Sequence, residues 1–219
     1  MAEAGPQGGS GEASGGFVRA GVWIPAPYRE RVAPAHALIL VDVQRAFLAG
    51  TEAVPGAALL TDRLTVLLAR ARAAGAPVAH LRNDGEPGAV DEPGTPGWEL
   101  HFPVRESADE RVVAKAAEDG FTGTGLGAFL DGYGVRRVVV AGVLSEMCVS
   151  ATAVGAVERG YEVVLPHDAH ATYGLDDIPA GVVARVAEHA LGSDPELVRT
   201  VGAVEFTAPG RAHRPREGG

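Results

Sequence analysis

Short apolar runs and longer amphipathic stretches alternate along this chain, and the alternation predicts its elements. His36 to Val43 carries consecutive apolar residues (Leu38-Ile39-Leu40-Val41) and reads as a fully buried strand. Pro55 to Ala74 places Leu60, Leu64, Leu67, Leu68 and Ala71 on one face of a helix, which Gly75 and Pro77 stop. Pro77 to Leu81 is a second strand, and residues 82–107, rich in Pro, Gly and acid, form a long loop. Arg111 to Ala114 is a short third strand, Thr124 to Tyr133 a helix, and Arg136 to Ala141 the fourth strand. A helix containing Cys148 runs to about Arg159 and ends at Gly160. Tyr161 to Leu165 is a fifth strand, Pro179 to Ala190 a helix, and Leu197 to Val204 a sixth strand.

This rhythm predicts an α/β fold: a three-layer αβα sandwich on a six-stranded, mostly parallel sheet of Rossmann-like topology. Right-handed crossovers gather the strand carboxyl ends at one rim, where open α/β sheets bind ligands. The loop over residues 82–107 is longer than a compact domain needs and is expected to serve as a lid or pocket wall. Residues 1–16 and 208–219 lack apolar periodicity and are expected to be a disordered leader and tail around one domain, residues 17–207.

Composition narrows the classes. Of 219 residues, 46% are hydrophobic, enough for a sizeable core, and the net charge of -9 argues against nucleic acid and an anionic membrane surface. One cysteine excludes an internal disulfide framework and fits a reducing compartment. No stretch reaches transmembrane length without charge or proline, and the N-terminus has no basic segment followed by an apolar one. A cytoplasmic protein is expected.

Three reactive residues fall at the predicted rim. Asp42 ends the first strand, Lys115 follows the third, and Cys148 follows the fourth, three residues after Ser145, which stands where a helix N-cap would. Singly, each has a plainer explanation: a lone cysteine is most often a small buried hydrophobe. At one rim, however, a carboxylate can take the thiol proton and an ammonium can hold both anions in place. Unpaired N–H groups and the dipole of the predicted helix would favour the thiolate.

The same residues resemble a known family, the isochorismatase-like cysteine hydrolases, which include nicotinamidases and N-carbamoylsarcosine amidases. The resemblance covers about residues 35–205. Asp42-Val-Gln44-Arg-Ala-Phe47 is similar to the family's D-x-Q-x-x-F opening. Val113-Ala-Lys115 with Gly120-Phe-Thr-Gly-Thr124-Gly-Leu126 is similar to its lysine and F-x-G-T-x-L segment. Gly142-Val-Leu-Ser-Glu-Met-Cys148-Val149 with Thr152-Ala153 resembles its G-x-x-(S/T)-x-x-C-V-x-x-T-A signature. The resemblance implies Asp42, Lys115 and Cys148 as a catalytic triad. It also implies a cis peptide at Val143–Leu144 and an oxyanion hole from the N–H groups of Leu144 and Cys148. The implied reaction is cleavage of a non-peptide C–N bond through a thioester.

Two departures refine this. Isochorismatases that cleave an enol ether lack the cysteine that this chain keeps. Nicotinamidases carry an Asp-x-His metal site where this chain reads Arg82-Asn83-Asp84-Gly85-Glu86, so neither a metal nor another cofactor is expected. His80 and His101 read as structural. Gln44, Phe47, Trp98, Phe121, Glu146 and Tyr173 are the candidate substrate contacts, and the acids around the rim would attract a cationic ligand. The polar segment His167-Asp168-Ala169-His170-Ala-Thr-Tyr173, a candidate source of a recognition group, resembles streptothricin hydrolases together with Ser145-Glu-Met-Cys148. Those enzymes open the cyclic amide (lactam) of a basic antibiotic. Three readings stay open: an amidase on a cationic amide of that type, an amidohydrolase of a small carbamoyl or ureido compound, and a non-catalytic ligand-binding relative. The resemblance further implies a homodimer or homotetramer.

Overall fold

The structure, a computed structural model, describes residues 16–19, 22–25 and 28–210. The expected leader and tail therefore lie largely outside the described residues. Gly16, taken with the leader, opens a hairpin of β1 (Gly16–Arg19) and β2 (Val22–Pro25) that the apolar pattern did not announce.

The main sheet is built from β3 (Ala37–Val41), β4 (Val78–Asn83), β5 (Glu110–Lys115), β6 (Arg137–Val143), β7 (Glu162–Pro166), β8 (His170–Ala171) and β9 (Glu196–Val198). Its order is β5-β4-β3-β6-β7-β9, with β8 on β6, and every pairing is parallel. Parallel strands need covered faces, and α1 (Arg45–Leu48), α2 (Ala57–Ala74), α3 (Leu126–Gly132), α4 (Ser150–Glu158) and α5 (Ala180–Ala190) supply the cover. Alternation along β3 separates two cores: Leu38 and Leu40 face one, while Ala37, Ile39 and Val41 face the other. The residues of α2 that are buried are Leu60, Leu64, Leu67, Leu68 and Ala71, the face read from the sequence. Gly75, left-handed at φ 67°, closes α2 by donating to the carbonyls of Ala71 and Arg72. Among the described residues, no helix is long and apolar enough to cross a membrane.

Several boundaries differ from expectation. The last strand stops at Val198, and Val201–Ala203 turns into a 3-10 helix, because the Val201 N–H donates to Asp168 Oδ1 (2.7 Å). The helix expected from Thr124 begins at Leu126, because the Thr124 hydroxyl is engaged in the preceding turn, donating to the Gly120 carbonyl (2.6 Å). Both β4 and β5 run further, so Lys115 ends its strand and pairs in register with Asn83.

The order in which strands join the sheet reverses between β3 and β6, the switch point at which such sheets open a crevice. Here Gly142 lies against β3 so closely that a Cβ would meet the Val41 carbonyl oxygen at 2.0 Å, and its φ is +133°. Glycine is required on both counts. Beside β6, β7 pairs with Arg137 to Val139; the chain then turns through His167–Ala169 and returns as β8 against Gly142 and Val143. His170 is thereby brought beside the strand end that leads to the cysteine.

Gly142→Ala combines a disfavoured backbone conformation with a backbone clash, so it should cost at least about 2 kcal/mol in denaturant unfolding. A loss below about 0.5 kcal/mol would contradict the close approach of β3 and β6. A second expectation concerns His80, which is buried in β4 and 2.9 Å from Glu110 Oε1. Burial lowers its pKa below the usual 6.5, against the pull of Glu110. The unfolded chain therefore binds the proton more readily. This contribution to stability is complete above the unfolded value and is lost as the pH falls through the folded one. The thermal midpoint should drop between about pH 7 and about pH 5, and His80→Gln should flatten the drop; an equal slope in both proteins would contradict it.

Candidate active site

Three side chains from separate parts of the chain converge above the switch point. Asp42, directly after β3, has left-handed backbone at φ 49°, uncommon for a residue with a side chain and most often met at functional positions. Lys115, at the end of β5, has a side chain wholly withdrawn from solvent. Its stem spans β4, and Nζ lies 2.9 Å from Asp42 Oδ2 and 3.3 Å from Cys148 Sγ. Lys115 thus bridges the carboxylate and the sulfur, and the thiol is partly exposed. Lys115 Nζ further donates to Asn83 Oδ1 (3.3 Å) and the Ala117 carbonyl (3.2 Å). The other carboxylate oxygen, Asp42 Oδ1, is buried without a hydrogen-bond partner among the described residues. Its lone pairs face no competing donor, as a base for the thiol proton requires.

The segment before the cysteine is not the helix start the sequence predicts. Ser145–Val149 forms a wide π-type turn, with Met147 at φ -109° and ψ -108°, and α4 begins only at Ser150. Ser145 caps nothing; its Oγ is 2.8 Å from His170 Nδ1. The Val143–Leu144 peptide is cis, as the resemblance implies.

The electrostatics correct a further expectation, that the thiolate would be favoured. Burial, then the charge of Asp42, push the Cys148 thiol up to about 12, and Lys115 only partly opposes them. Magnitudes decide the matter. A helix dipole contributes about 0.3–1 kcal/mol, under one pKa unit, whereas burial moves such groups by up to about 3–5 units. Here no regular helix N-terminus points at the sulfur. Burial likewise lifts Asp42 above the carboxylate range, although Lys115 pulls it down. For Lys115, burial acts downward, but Asp42 and Cys148 outweigh it and the pKa rises. The resting site thus holds an ammonium, a thiol and an unusually basic carboxylate.

The predicted substrate contacts divide. Gln44 is fully buried and braces backbone: its Nε2 donates to the carbonyls of Asn83 (3.0 Å) and Trp98 (3.1 Å), and its Oε1 accepts from the Asn83 N–H (2.9 Å). Phe121 is buried and stacked on Tyr161 in one of the two cores. Phe47 and Tyr173 pack against the other core, and the Tyr173 hydroxyl donates to the Glu52 carbonyl. Trp98 is half-buried, donates to Asp84 Oδ1 (2.7 Å) and lies under the Arg82 guanidinium. Glu146 stands apart: its Oε2 is buried with no partner among the described residues, and it lines a groove of about 740 Å³ between α4 and α5. That groove has Met147, Val154 and Val186 on its walls and Glu118, Asp119 and Glu158 among its acids. A smaller hollow of about 450 Å³ is lined by Asp84, Lys115 and Thr124.

The long loop is tied to the strand ends. Residues 97–101 bond to the β3–α1 segment through Ala46, Arg45 and Val43, and Asp91 accepts from Asn83 Nδ2 (2.7 Å). The sequence motifs give no role to Asn83, and they place Asp91 only among the acids of the rim. An amide at a buried strand end opposite a lysine was the available signal. Likewise His167 and His170 turn inward to buried Glu188 instead of offering recognition groups. His80 bonds Glu110, and His101 packs edge-on against Phe102. Among the described residues, no three His, Cys, Asp or Glu side chains cluster as a metal site would require.

The comparisons with known proteins agree with this fold. The family model of the isochorismatase domain matches residues 36–190. A streptothricin hydrolase of Streptomyces noursei is 57% identical over 187 residues, covering 82% of this chain and 68% of that protein. Among solved structures, an isochorismatase from Pseudomonas putida KT2440 superposes with a TM-score of 0.71 at 27% identity, covering 79% of this chain and 93% of its own. The N-carbamoylsarcosine amidase of Thermoplasma acidophilum superposes with a TM-score of 0.63 at 27% identity, covering 74% and 95%.

Because the charge of Asp42 raises the thiol, Asp42→Asn should lower the titration midpoint of Cys148 even as it removes the base. Thiolate absorbance followed across the alkaline range checks this. A midpoint unchanged or raised in the variant would contradict the assigned electrostatics.

Proposed function

The chain belongs to the isochorismatase family, and from that premise we propose that it is a cysteine-dependent amide hydrolase with Asp42, Lys115 and Cys148 as its catalytic triad. Its proposed substrate is the cyclic amide of a basic antibiotic of the streptothricin type. The observation that carries the reading is the position of Lys115 Nζ, 2.9 Å from Asp42 and 3.3 Å from Cys148, at the switch point of a parallel sheet.

The chemistry follows from the resting charges. Asp42 takes the Cys148 proton as sulfur attacks the amide carbon, so free thiolate need not accumulate. Lys115 stays protonated and balances the negative charge as it passes from carboxylate to sulfur. The N–H groups of Leu144 and Cys148 receive the oxyanion. Asp42 returns the proton to the amine nitrogen, the C–N bond breaks, and a thioester remains. A water, deprotonated by the same carboxylate, then cleaves the thioester, and sulfur regains its proton. With a cyclic amide the released amine stays tethered to the acyl group, so the product is one ring-opened amino acid.

Two features support a cationic substrate. The buried, unpaired Oε2 of Glu146 sits two residues before the nucleophile, and further acids line the adjoining groove. The identity of 57% to a streptothricin hydrolase points the same way.

Hydrolysis of streptothricin, read by mass spectrometry as the gain of one water, tests the proposal. Cys148→Ala, Asp42→Asn and Lys115→Met should each lower kcat by about 10³-fold or more. Glu146→Gln should chiefly raise KM. Retained turnover in Cys148→Ala would overturn the cysteine mechanism. Preferential turnover of an N-carbamoyl amino acid would move the substrate to the small carbamoyl class.

A further inference from the structure

A second set of buried polar residues stands behind the nucleophile turn. Ser145, His170 and Glu188 are all nearly inaccessible, at 2%, 6% and 2% exposure. Ser145 Oγ lies 2.8 Å from His170 Nδ1, and His170 Nε2 lies 3.1 Å from Glu188 Oε1. Glu188, on α5, also accepts from Tyr28 (3.1 Å) and Arg185 (2.8 Å) and is 2.7 Å from His167 Nδ1. Burial opposes ionisation of Glu188, but the bonds from His170 and His167 outweigh it and hold the carboxyl below its usual range. With Glu188 ionised, His170 donates its Nε2–H to Glu188 Oε1, and its Nδ1 accepts from the Ser145 hydroxyl.

The connectivity is that of a serine nucleophile with its base and orienting acid. Burial of Ser145 excludes attack on a substrate, so the arrangement has other work. Ser145 opens the π-type turn that contains Cys148, and its amide follows Leu144. An irregular turn of this kind, with Met147 outside helical geometry, must be held by contacts from elsewhere. Those contacts come from β8, whose pairing with Gly142 and Val143 places His170 beside the turn, and from α5 behind it.

We propose that Ser145, His170 and Glu188 form a positioning relay. Through two hydrogen bonds it sets the height of the Leu144–Cys148 turn over Asp42 and Lys115, so that sulfur and oxyanion donors meet the substrate carbonyl together. The inference rests on the cysteine mechanism proposed above. Its members touch neither substrate nor reacting atoms, so their effect falls on kcat more than on KM.

The acylation of Cys148 by p-nitrophenyl acetate tests the relay without reference to the natural substrate. Ser145→Ala removes one hydroxyl and no packing of consequence; His170→Gln keeps a donor toward Glu188 but loses the acceptor for Ser145. Each should slow acylation by about 10- to 100-fold with KM changed by less than about twofold. The double variant should be no slower than the worse single one, because both changes cut the same bond. Acylation at the parental rate in folded Ser145→Ala, or losses that multiply in the double variant, would overturn the relay. If His170→Gln does not fold, Ser145→Ala decides alone. A Cys148→Ala control separates the two hypotheses: if it too acylates at the parental rate, the cysteine mechanism has failed instead.

Discussion

A buried ammonium joins the fold of this protein to its chemistry. Lys115 reaches across β4 to lie between a carboxylate and a thiol, with its side chain wholly enclosed. Removing one member of such a pair leaves an uncompensated buried charge, at a cost of about 3–5 kcal/mol. The site therefore depends on three chain segments arriving together. The strand order supplies that meeting: Asp42 and Cys148 flank the reversal between β3 and β6, and β5 stands two places away, within reach of a lysine. Gly142 lets β3 and β6 approach closely enough, and Gln44 and Asn83 fasten the β4 end over which the lysine passes.

Enclosure has a chemical consequence. Where burial dominates, the sulfur keeps its proton and the carboxylate becomes a better base. Reactivity then resides in the pair rather than in a free thiolate. One proton shared between oxygen and sulfur serves attack, departure of the amine and thioester hydrolysis in turn. A partly exposed cysteine that rests as a thiol is also less open to oxidation than a thiolate in the same place.

Much of this was legible in the sequence, and the gaps have physical causes. The long buried strands and the stripe of α2 follow from periodicity, since a buried strand and a one-sided helix admit few other residues, whereas β1, β2 and the two-residue β8 do not. Asp42, Lys115 and Cys148 could be placed on one rim because topology alone determines which strand ends are neighbours. Pattern reading failed where one side chain's partner is remote. Ser145 has the residue type and position of an N-cap, yet its hydroxyl is taken by His170, 25 residues on. Gln44 and Phe121 lie in rim motifs that suggest substrate contacts, whereas the structure buries both. The state of Cys148 was misjudged for a related reason: a helix start can be read locally, but desolvation depends on everything packed around the sulfur.

Acid quenching during turnover, followed by mass analysis of the peptide containing Cys148, tests the central claim most directly. The account predicts a covalent adduct on Cys148 alone, carrying the whole mass of a cyclic amide substrate because the opened ring retains its amine. Turnover without any adduct on that peptide, or with an adduct on another residue, would contradict it.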